Sequence, residues 1–273
     1  AAALFFMLLS FTGSAQTTLV NWNFPGKTDD AIADGGILVN RPHVITTAGG
    51  TGTLAFHAEG YTSSAAAADK WEGGMNTKYW QINFSTQAYS NISISSRQWS
   101  SPTGPRDFKL QYSINAGASW VDVPGASITV GGNFTDGALN NVQLPAECAD
   151  QAFVQVRWLM SSNKATGNGN VTPDGSSRID DLLVRGNLCT VFISSFVPAS
   201  GPAGTKVIIN GSGFRGASGV LFSGIAASYT VVSDNMISAT VPVLYNSGPV
   251  SVTGASCSSS SGVAFQLINS CFE

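Results

Sequence analysis

Charged side chains are scarce in this chain of 273 residues, where Asp, Glu, Lys and Arg together make up 11%. An average soluble protein has roughly 25%. The 13 Lys and Arg residues are outnumbered by 16 Asp and Glu residues, which gives a net charge of −3, and they form no basic run. Because binding to a phosphate backbone depends on clustered positive charge, we predict that nucleic acid is not a ligand.

Groups for acid/base catalysis are equally few. Only His43 and His57 could act as bases near neutral pH with an ordinary pKa. Glutamate occurs only at Glu59, Glu72, Glu147 and Glu273. The sequence also lacks a Gly-rich phosphate loop and the His-Glu-x-x-His, Gly-x-Ser-x-Gly and Cys-x-x-Cys motifs. An enzyme would need a carboxylate pair or a Ser/His/Asp set that converges in a cleft, so we predict that these residues are not catalytic.

Long apolar runs are absent except at the N-terminus, where residues 1–10 read AAALFFMLLS and residues 11–16 read FTGSAQ. Such a run followed by small residues is typical of a secretory signal peptide, and we predict cleavage near Ala15 or Gln16. The run is shorter than the roughly 20 apolar residues that cross a bilayer, so no membrane span is expected. The alternative interpretation is a buried N-terminal strand. Neither an initiator Met nor a basic segment precedes the run, so we expect a fragment of a longer extracellular protein, secreted or attached to the cell surface.

The sequence does contain 30 glycines and many short stretches in which apolar and polar residues alternate. In residues 79–85, for example, Trp80, Ile82 and Phe84 share one face of a predicted strand. The same period of two recurs in residues 92–94, 108–114 and 154–158. At roughly 100 to 200 residues per domain the length predicts two domains, and we place a jelly-roll-type β-sandwich at residues 17–187. Within it, only the four alanines at residues 65–68 favour a helical turn.

Two stretches of this first domain resemble known modules. Thr103-Gly-Pro-Arg-Asp-Phe-Lys-Leu-Gln-Tyr-Ser113, together with Trp120, is similar to jelly-roll modules of secreted bacterial proteins, including carbohydrate-binding ones. Ser177-Arg-Ile-Asp-Asp-Leu-Leu-Val184, followed by Gly186, resembles the last strand of such modules. The resemblance covers most of residues 70–187 and implies a glycan or another cell-surface component as ligand. It also implies a structural calcium ion, which some of these modules hold with a nearby carboxylate.

Aspartates in two places are the candidate ligands for that calcium ion. Asp180 and Asp181 lie in a strand of apolar neighbours, where an unpaired carboxylate would be costly. Asp29, Asp30 and Asp34 lie in a Gly-containing loop that could supply further oxygen ligands. The alternative is that arginines neutralise these carboxylates through charge-assisted hydrogen bonds. The candidate arginines are Arg106, Arg157 and Arg178.

Tryptophans are candidates for sugar binding, because an exposed aromatic face can cover the apolar face of a pyranose. The six tryptophans stand at positions 22, 71, 80, 99, 120 and 158. Trp80 and Trp158 alternate in step with other apolar residues, so we predict that they belong to the core. Trp71 and Trp99 have polar neighbours, in Asp-Lys-Trp-Glu-Gly and Arg-Gln-Trp-Ser-Ser, and are our candidate ligand-binding residues.

The C-terminal part contains a more specific pattern. It begins with Phe196-Val-Pro-Ala-Ser-Gly-Pro-Ala-Gly-Thr-Lys-Val-Ile-Ile-Asn-Gly-Ser-Gly-Phe214 and continues with Val220-Leu-Phe-Ser-Gly-Ile-Ala226 and Gly248-Pro-Val-Ser-Val-Thr253. These segments resemble an IPT/TIG domain. The resemblance implies an immunoglobulin-like β-sandwich at residues 190–270, of the kind found in cell-surface receptors and as a spacer in extracellular enzymes. Relatives that bind DNA use basic loops, whereas this domain has only Lys206 and Arg215, which also argues against nucleic acid.

Two functions are consistent with these features. The first is a non-catalytic, secreted or cell-surface pair of modules that binds a glycan or surface component, with the IPT/TIG domain as a spacer. The signal segment, the all-β architecture and the shortage of catalytic residues favour it. The alternative is a pair of accessory domains from a larger secreted hydrolase whose catalytic domain lies outside this segment. The complete open reading frame would separate the two.

The chain has four cysteines, and in a secreted protein these predict disulfide bonds. If the strands on either side of residues 161–177 form a hairpin, Cys148 and Cys189 lie just beyond its open end, and we favour this pair. The immunoglobulin topology offers the alternative pair of Cys189 and Cys257, because the start of the first strand and the loop before the last strand share one pole. With the favoured pair of Cys148 and Cys189, Cys271 would pair with a residue beyond the segment.

Overall fold

Alternating apolar and polar residues form β-strands throughout the part of the chain that the computed structural model describes. That part comprises residues 16–26, 30–38, 43–48, 54–243, 246–254 and 257–268. Residues 1–15 of the predicted signal peptide (residues 1–16) lie outside it, as do Asp29 and Cys271. Among the described residues no helix is long and apolar enough to cross a membrane. The predicted fold class, an all-β chain with a jelly-roll-type sandwich followed by an immunoglobulin-like one, is confirmed.

The first sandwich has two sheets with antiparallel pairing. Its strands are β1 (Thr17–Trp22), β2 (Ile45–Ala48), β3 (Ala55–Glu59), β4 (Ser64–Ala68), β5 (Tyr79–Phe84), β6 (Tyr89–Ser100), β7 (Asp107–Ser113), β8 (Val121–Thr129), β9 (Leu139–Gln143), β10 (Val154–Met160) and β11 (Ser177–Leu188). Sheet 1 has the order β3-β4-β11-β6-β9, and β1 also pairs with β11. Sheet 2 has the order β2-β5-β10-β7-β8. Sequence neighbours therefore often lie in opposite sheets, as in jelly rolls.

Aromatic and branched side chains fill the space between these two sheets. Trp80 and Trp158 are fully buried there, as their alternation with polar residues predicts. The indole Nε1 of Trp80 donates to Ser177 Oγ at 3.1 Å, and that of Trp158 donates to Ser96 Oγ at 3.0 Å. Both bonds run from sheet 2 to sheet 1. They satisfy indole N–H groups that would be costly to bury without a partner.

Two local predictions for this sandwich are wrong. The strands β10 and β11 do not form a hairpin, because β10 pairs with β5 and β7 in sheet 2 while β11 pairs with strands of sheet 1. The connection at residues 161–176 crosses from one sheet to the other. Residues 65–68 lie in strand β4, which pairs with β3 and β11, and do not form a helical turn. Alanine favours helix by less than about 1 kcal/mol per residue, so the sheet pairing and the burial of Ala65 and Ala66 outweigh its propensity.

The second sandwich follows after a short connection. Its strands are β12 (Phe192–Val197), β13 (Ser200–Gly201), β14 (Lys206–Ser212), β15 (Gly219–Phe222), β16 (Ile225–Ala226), β17 (Ser228–Ser233), β18 (Met236–Thr240), β19 (Gly248–Thr253) and β20 (Ser258–Leu267). One sheet has the order β12-β14-β18-β17 and the other β13-β20-β19-β15-β16. Phe214, Phe222 and Phe265 are fully buried between them. Gly213 has φ 73° and a Cβ there would lie 2.3 Å from the Thr190 carbonyl oxygen, so the turn into Phe214 requires glycine.

The disulfide bond joins Cys189 to Cys257, whose Cα atoms are 5.7 Å apart. The pairing of Cys148 with Cys189 that we favoured is therefore wrong, and the alternative from the immunoglobulin topology is the one observed. The error has a physical cause, since the pairing depended on a hairpin between strands that lie in different sheets. Cys148 is free and buried, and burial raises the pKa of its thiol to about 12, which makes it unreactive.

The disulfide lies at the junction of the two sandwiches. The backbone N–H of Cys189 donates to the Ala88 carbonyl at 2.7 Å and so continues the pairing of the first sandwich. Cys257 belongs to a turn of the second sandwich, where its carbonyl accepts the N–H of Gly254 at 2.7 Å. Val191, two residues after Cys189, is already buried in the second core. The bond therefore links the end of β11 directly to the second domain.

Replacing both Cys189 and Cys257 by serine should destabilise the second sandwich. The disulfide spans 68 residues, and the loss of such a constraint on the unfolded chain is worth about 4 kcal/mol in the chain-entropy model. We expect urea unfolding to show this loss in the transition of the second domain. Cys148→Ala is the control, because any effect of that change should appear in the first domain. A disulfide-linked peptide that contains Cys148, or equal stability of the oxidised chain and the double variant, would contradict the assignment.

Candidate functional site

The outer face of sheet 1 carries an unusual set of arginine and aromatic side chains. On β6, Arg97 and Trp99 point away from the core, in alternation with the buried Ser96 and Gln98. Arg178 on β11 is the register partner of Trp99, and its guanidinium carbon lies 4.2 Å from the centre of the indole ring. Trp99 thus lies half-buried at the surface, stacked by a cation.

A second cation-aromatic pair lies beside the first. The guanidinium carbon of Arg97 is 4.1 Å from the ring centre of Tyr61, a residue of the turn between β3 and β4 whose side chain is 47% exposed. The ring of Phe134 meets Tyr61 edge to face, with the two centres 6.5 Å apart. We call Tyr61, Trp99 and Phe134 the aromatic platform. It presents ring surface to solvent on one face of the sandwich.

A buried carboxylate holds the turn that carries Tyr61. Asp180 is fully buried, and its Oδ2 accepts the backbone N–H of Tyr61 at 2.7 Å. Its Oδ1 accepts the N–H of Asp181 at 2.7 Å. A Cβ at Gly60 would lie 2.6 Å from this carboxylate and 2.3 Å from the Ser64 carbonyl oxygen, so the turn passes too close for any side chain there. Asp180 therefore positions Tyr61 through the backbone.

Strand β11 has an irregularity at this point. Asp181 has φ 47°, and the pairing of β11 with β6 shifts between Asp180 and Leu183. This bulge places two consecutive aspartates on the outer side of the strand, one beneath the Tyr61 turn and one at the surface. The carboxylate of Asp181 lies 3.6 Å from Nε of Arg97. Arg97 is thus held between an aromatic ring and a carboxylate.

Next to the platform lies a cleft of about 310 Å³. We call it the polar cleft, and its polar lining residues include Asn21, Asn23, Ser95, Arg97, Asn140, Asn141, Asp181 and Arg185. Ser95 Oγ and Asn141 are joined by a hydrogen bond, as are the amides of Asn21 and Asn23. Amide, hydroxyl and guanidinium groups from four strands or their ends thus converge next to exposed rings. Such a set can hydrogen-bond the hydroxyl groups of a polar ligand.

The outer face of sheet 2 has a comparable stack, but its polar groups bond one another. The guanidinium carbon of Arg157 lies 4.0 Å from the ring centre of Trp120 and 5.0 Å from that of Tyr79. Arg157 Nε donates to Gln111 Oε1 at 2.8 Å, and Gln111 Nε2 donates to Asp122 Oδ1 at 2.5 Å. This row runs across three paired strands and leaves fewer donors for a ligand than the polar cleft does.

The two tryptophans chosen from the sequence have different positions. Trp71 is 0% exposed and packs against Trp80 and Phe108, with ring centres 5.6 and 5.8 Å away, so its selection as a ligand-binding residue is wrong. Its polar sequence neighbours belong to a turn in which Lys70 has φ 63°, and this turn directs the indole inward. Trp99 lies on the surface beside Arg178, and its contact with a ligand stays a prediction.

Of the aspartates chosen as calcium ligands, Asp30, Asp34, Asp180 and Asp181 lie within the described residues and take part in no cluster of three or more acidic, His or Cys side chains there. Asp34 accepts the backbone N–H groups of Asn23 and Phe24 at 2.7 and 2.9 Å, and Asp30 accepts that of Ile32. The described residues contain no group of three or more His, Cys, Asp or Glu that could hold a metal ion.

The alternative prediction is that arginines neutralise these aspartates. It holds for one aspartate, but the arginine is not one of the three candidates. Asp181 is paired with Arg97, whereas the buried Asp180 is satisfied by backbone N–H groups. Arg106 pairs with Asp107 instead. The calcium ion itself stays a prediction, since Asp29 lies outside the described residues. Arg97, Tyr61 and Arg185 escaped the sequence analysis because only the fold brings them together.

Comparison with known proteins identifies the second sandwich directly. Residues 192–267 match the IPT/TIG domain family, as the sequence pattern predicts. No curated protein matches the chain.

Several solved structures are similar to parts of the chain. A putative phosphatase from Bacteroides thetaiotaomicron is 25% identical over 28% of this chain and 18% of its own, with a TM-score of 0.26. The N-terminal cellulose-binding domain of Cellulomonas fimi β-1,4-glucanase C is 12% identical over 53% of this chain and 89% of its own, with a TM-score of 0.34. The K1 cleaved adhesin domain of Lys-gingipain from Porphyromonas gingivalis is 12% identical over 63% and 99%, with a TM-score of 0.38. The chain thus spans less than a fifth of the phosphatase, and the function proposed below depends on the geometry of sheet 1.

Replacing Asp180 by asparagine should remove part of the pH dependence of folding stability. Burial raises the pKa of Asp180 to about 6, so the folded chain holds this proton more tightly than the unfolded chain does. The contribution of this group to stability is therefore greatest below about pH 4 and is lost as the pH rises to about 6, a difference of about 3 kcal/mol. In urea unfolding between pH 4 and 7, we expect the gap in stability between the wild type and Asp180→Asn to change by this amount.

Asp174→Asn is the matched control, because Asp174 lies exposed on the connection between β10 and β11. The difference in folding stability between Asp174→Asn and the wild type should stay constant between pH 4 and 7. A constant gap for Asp180→Asn as well would show that Asp180 is not held in the way described.

Proposed function

We propose that this chain is a non-catalytic binding part of an extracellular protein. Its jelly-roll sandwich binds a glycan on the outer face of sheet 1, and its IPT/TIG domain is a spacer. The observation that carries the proposal is the position of the exposed aromatic platform next to the polar cleft. An aromatic ring covers the apolar face of a sugar, while amide and guanidinium groups bond its hydroxyls.

The outer face of sheet 1 is better suited to this role than that of sheet 2. Tyr61 is 47% exposed, whereas Tyr79 and Trp120 are only partly exposed and share Arg157. The polar row on sheet 2 is closed by its own hydrogen bonds. The groups of the polar cleft also bond one another, but the cleft in addition offers open space and the guanidinium of Arg185.

The strongly perturbed ionisable groups support a role without catalysis. The pKa of Cys148 and that of Tyr112 are raised to about 12, mainly by burial, and the Tyr112 hydroxyl also donates to Glu147. The pKa of Asp180 is raised to about 6, again mainly by burial. All three side chains are buried, so none of them is presented to a substrate in a cleft.

The spacer role of the second domain is supported by its surface and its attachment. It has only Lys206 and Arg215 as basic residues, which does not fit recognition of an acidic partner. The disulfide bond fixes its pole to the end of β11. A rigid connection of this kind is what a domain needs in order to hold a binding module away from the rest of a protein.

Glycan binding by the full chain tests the proposal. We expect Tyr61→Ala to weaken retention on a glycan array by about tenfold, the change that follows when roughly 1.4 kcal/mol of ring stacking is lost. Tyr79→Ala is the matched control, because it removes a tyrosine stacked by an arginine from the opposite face of the sandwich. It should leave glycan binding unchanged.

Three results would refute the proposal. One is a folded wild-type chain that retains no glycan, with the fold checked by near-UV circular dichroism. Another is a loss of binding in Tyr79→Ala with none in Tyr61→Ala, which would assign the ligand to sheet 2. The third is equal binding by both variants and the wild type, which would place the ligand on the outer face of neither sheet.

A further inference from the structure

Arg185 is a cationic side chain of the polar cleft that no other described residue of the protein neutralises. It lies on β11, between its register partners Thr18 on β1 and Ser93 on β6, and it points away from the core. Its side chain lines the cleft and is partly exposed. Within the described residues its guanidinium has neither an ion pair nor a hydrogen bond.

The carboxylates around the cleft are already engaged. Asp181 lies 3.6 Å from Arg97. Asp34 accepts the N–H groups of Asn23 and Phe24, and Asp180 is buried beneath the Tyr61 turn. Arg185 is therefore the group in the cleft whose charge is not balanced by a contact. An unpaired guanidinium beside neutral amides provides a planar fork of donors that matches an anionic oxygen pair.

We propose that the polar cleft binds an acidic saccharide, and that Arg185 receives the carboxylate of one uronic acid residue while Tyr61 stacks on another sugar of the same saccharide. This inference rests on the glycan-binding function proposed above. Asn21, Asn23 and Asn141 lie around the same cleft and supply donors and acceptors for the hydroxyl groups. A purely neutral glycan would need only these amides and would leave the charge of Arg185 without a partner.

Because the chain has a negative net charge, only a local positive charge can attract an acidic saccharide. With a formal charge of −3, the protein as a whole repels an acidic polysaccharide. Attraction must therefore come from a local cation, and it should weaken with added salt, because the cleft is open to solvent.

Calorimetry on the full chain with oligogalacturonate and with its methyl ester tests the inference, since the ester removes the charge of each carboxyl group and adds only a methyl group. We expect the wild type to bind the acid at least tenfold more tightly than the ester at low ionic strength. Arg185→Gln should reduce binding of the acid to the level of the ester, and Arg185→Lys should restore only part of it, because lysine keeps the charge and loses the fork. Arg215→Gln is the matched control, with the same change of net charge in the second domain, and should bind like the wild type.

The outcomes separate this inference from the proposed function. Equal binding of acid and ester by the wild type would overturn the acidic-saccharide assignment and leave glycan binding standing. Retention of neutral glycans alone on the array would do the same. A sulfated oligosaccharide that binds through Arg185 while oligogalacturonate does not would overturn the carboxylate assignment. Retention of no glycan by the folded chain would overturn both proposals.

Discussion

The two hydrogen bonds that cross the core of the first sandwich, from Trp80 to Ser177 and from Trp158 to Ser96, fix the arrangement on which the candidate site depends. A buried indole N–H without a partner would cost free energy, so each serine must face inward opposite its tryptophan. Adjacent residues of a strand face opposite sides. With Ser96 and Ser177 facing inward, Arg97 and Arg178 must face outward, beside the rings that they stack on.

The irregular part of β11 then converts a regular sheet face into a cleft. The bulge at Asp181 brings two aspartates to the outer side, where a straight strand would alternate them. Asp180 is buried because the Tyr61 turn covers it, and the turn is held because the carboxylate accepts its N–H. Neither the turn nor the carboxylate would keep its position alone. The exposed ring of Tyr61 is thus a consequence of a buried charge, and its placement carries the energetic cost of that burial.

The sequence predicts which side chains of a strand face the core better than it predicts which strands pair with each other. Alternation with period two depends on neighbouring residues only, and it correctly identifies Trp80, Trp158 and the core of the IPT/TIG domain. Pairing between distant strands leaves no local trace, so the hairpin and the disulfide derived from it were wrong. Trp71 was misassigned for a related reason, since its polar neighbours belong to a turn whose direction only the fold determines. The residues that line the cleft come from β1, β6, β9 and β11 or their ends, and no sequence spacing relates these residues to one another.

Strand β11 connects the candidate site to the second domain. Its first half carries Arg178, Asp180 and Asp181, its second half carries Arg185, and the next residue after its end is Cys189 of the disulfide. In the proposed function, a force between a bound ligand and the second domain would be carried along this strand. Because β11 is paired with β6 on one side and with β1 and β4 on the other, such a force acts parallel to the strands and across many hydrogen bonds at once. Loading at one end of a hairpin, by contrast, would open the bonds one after another.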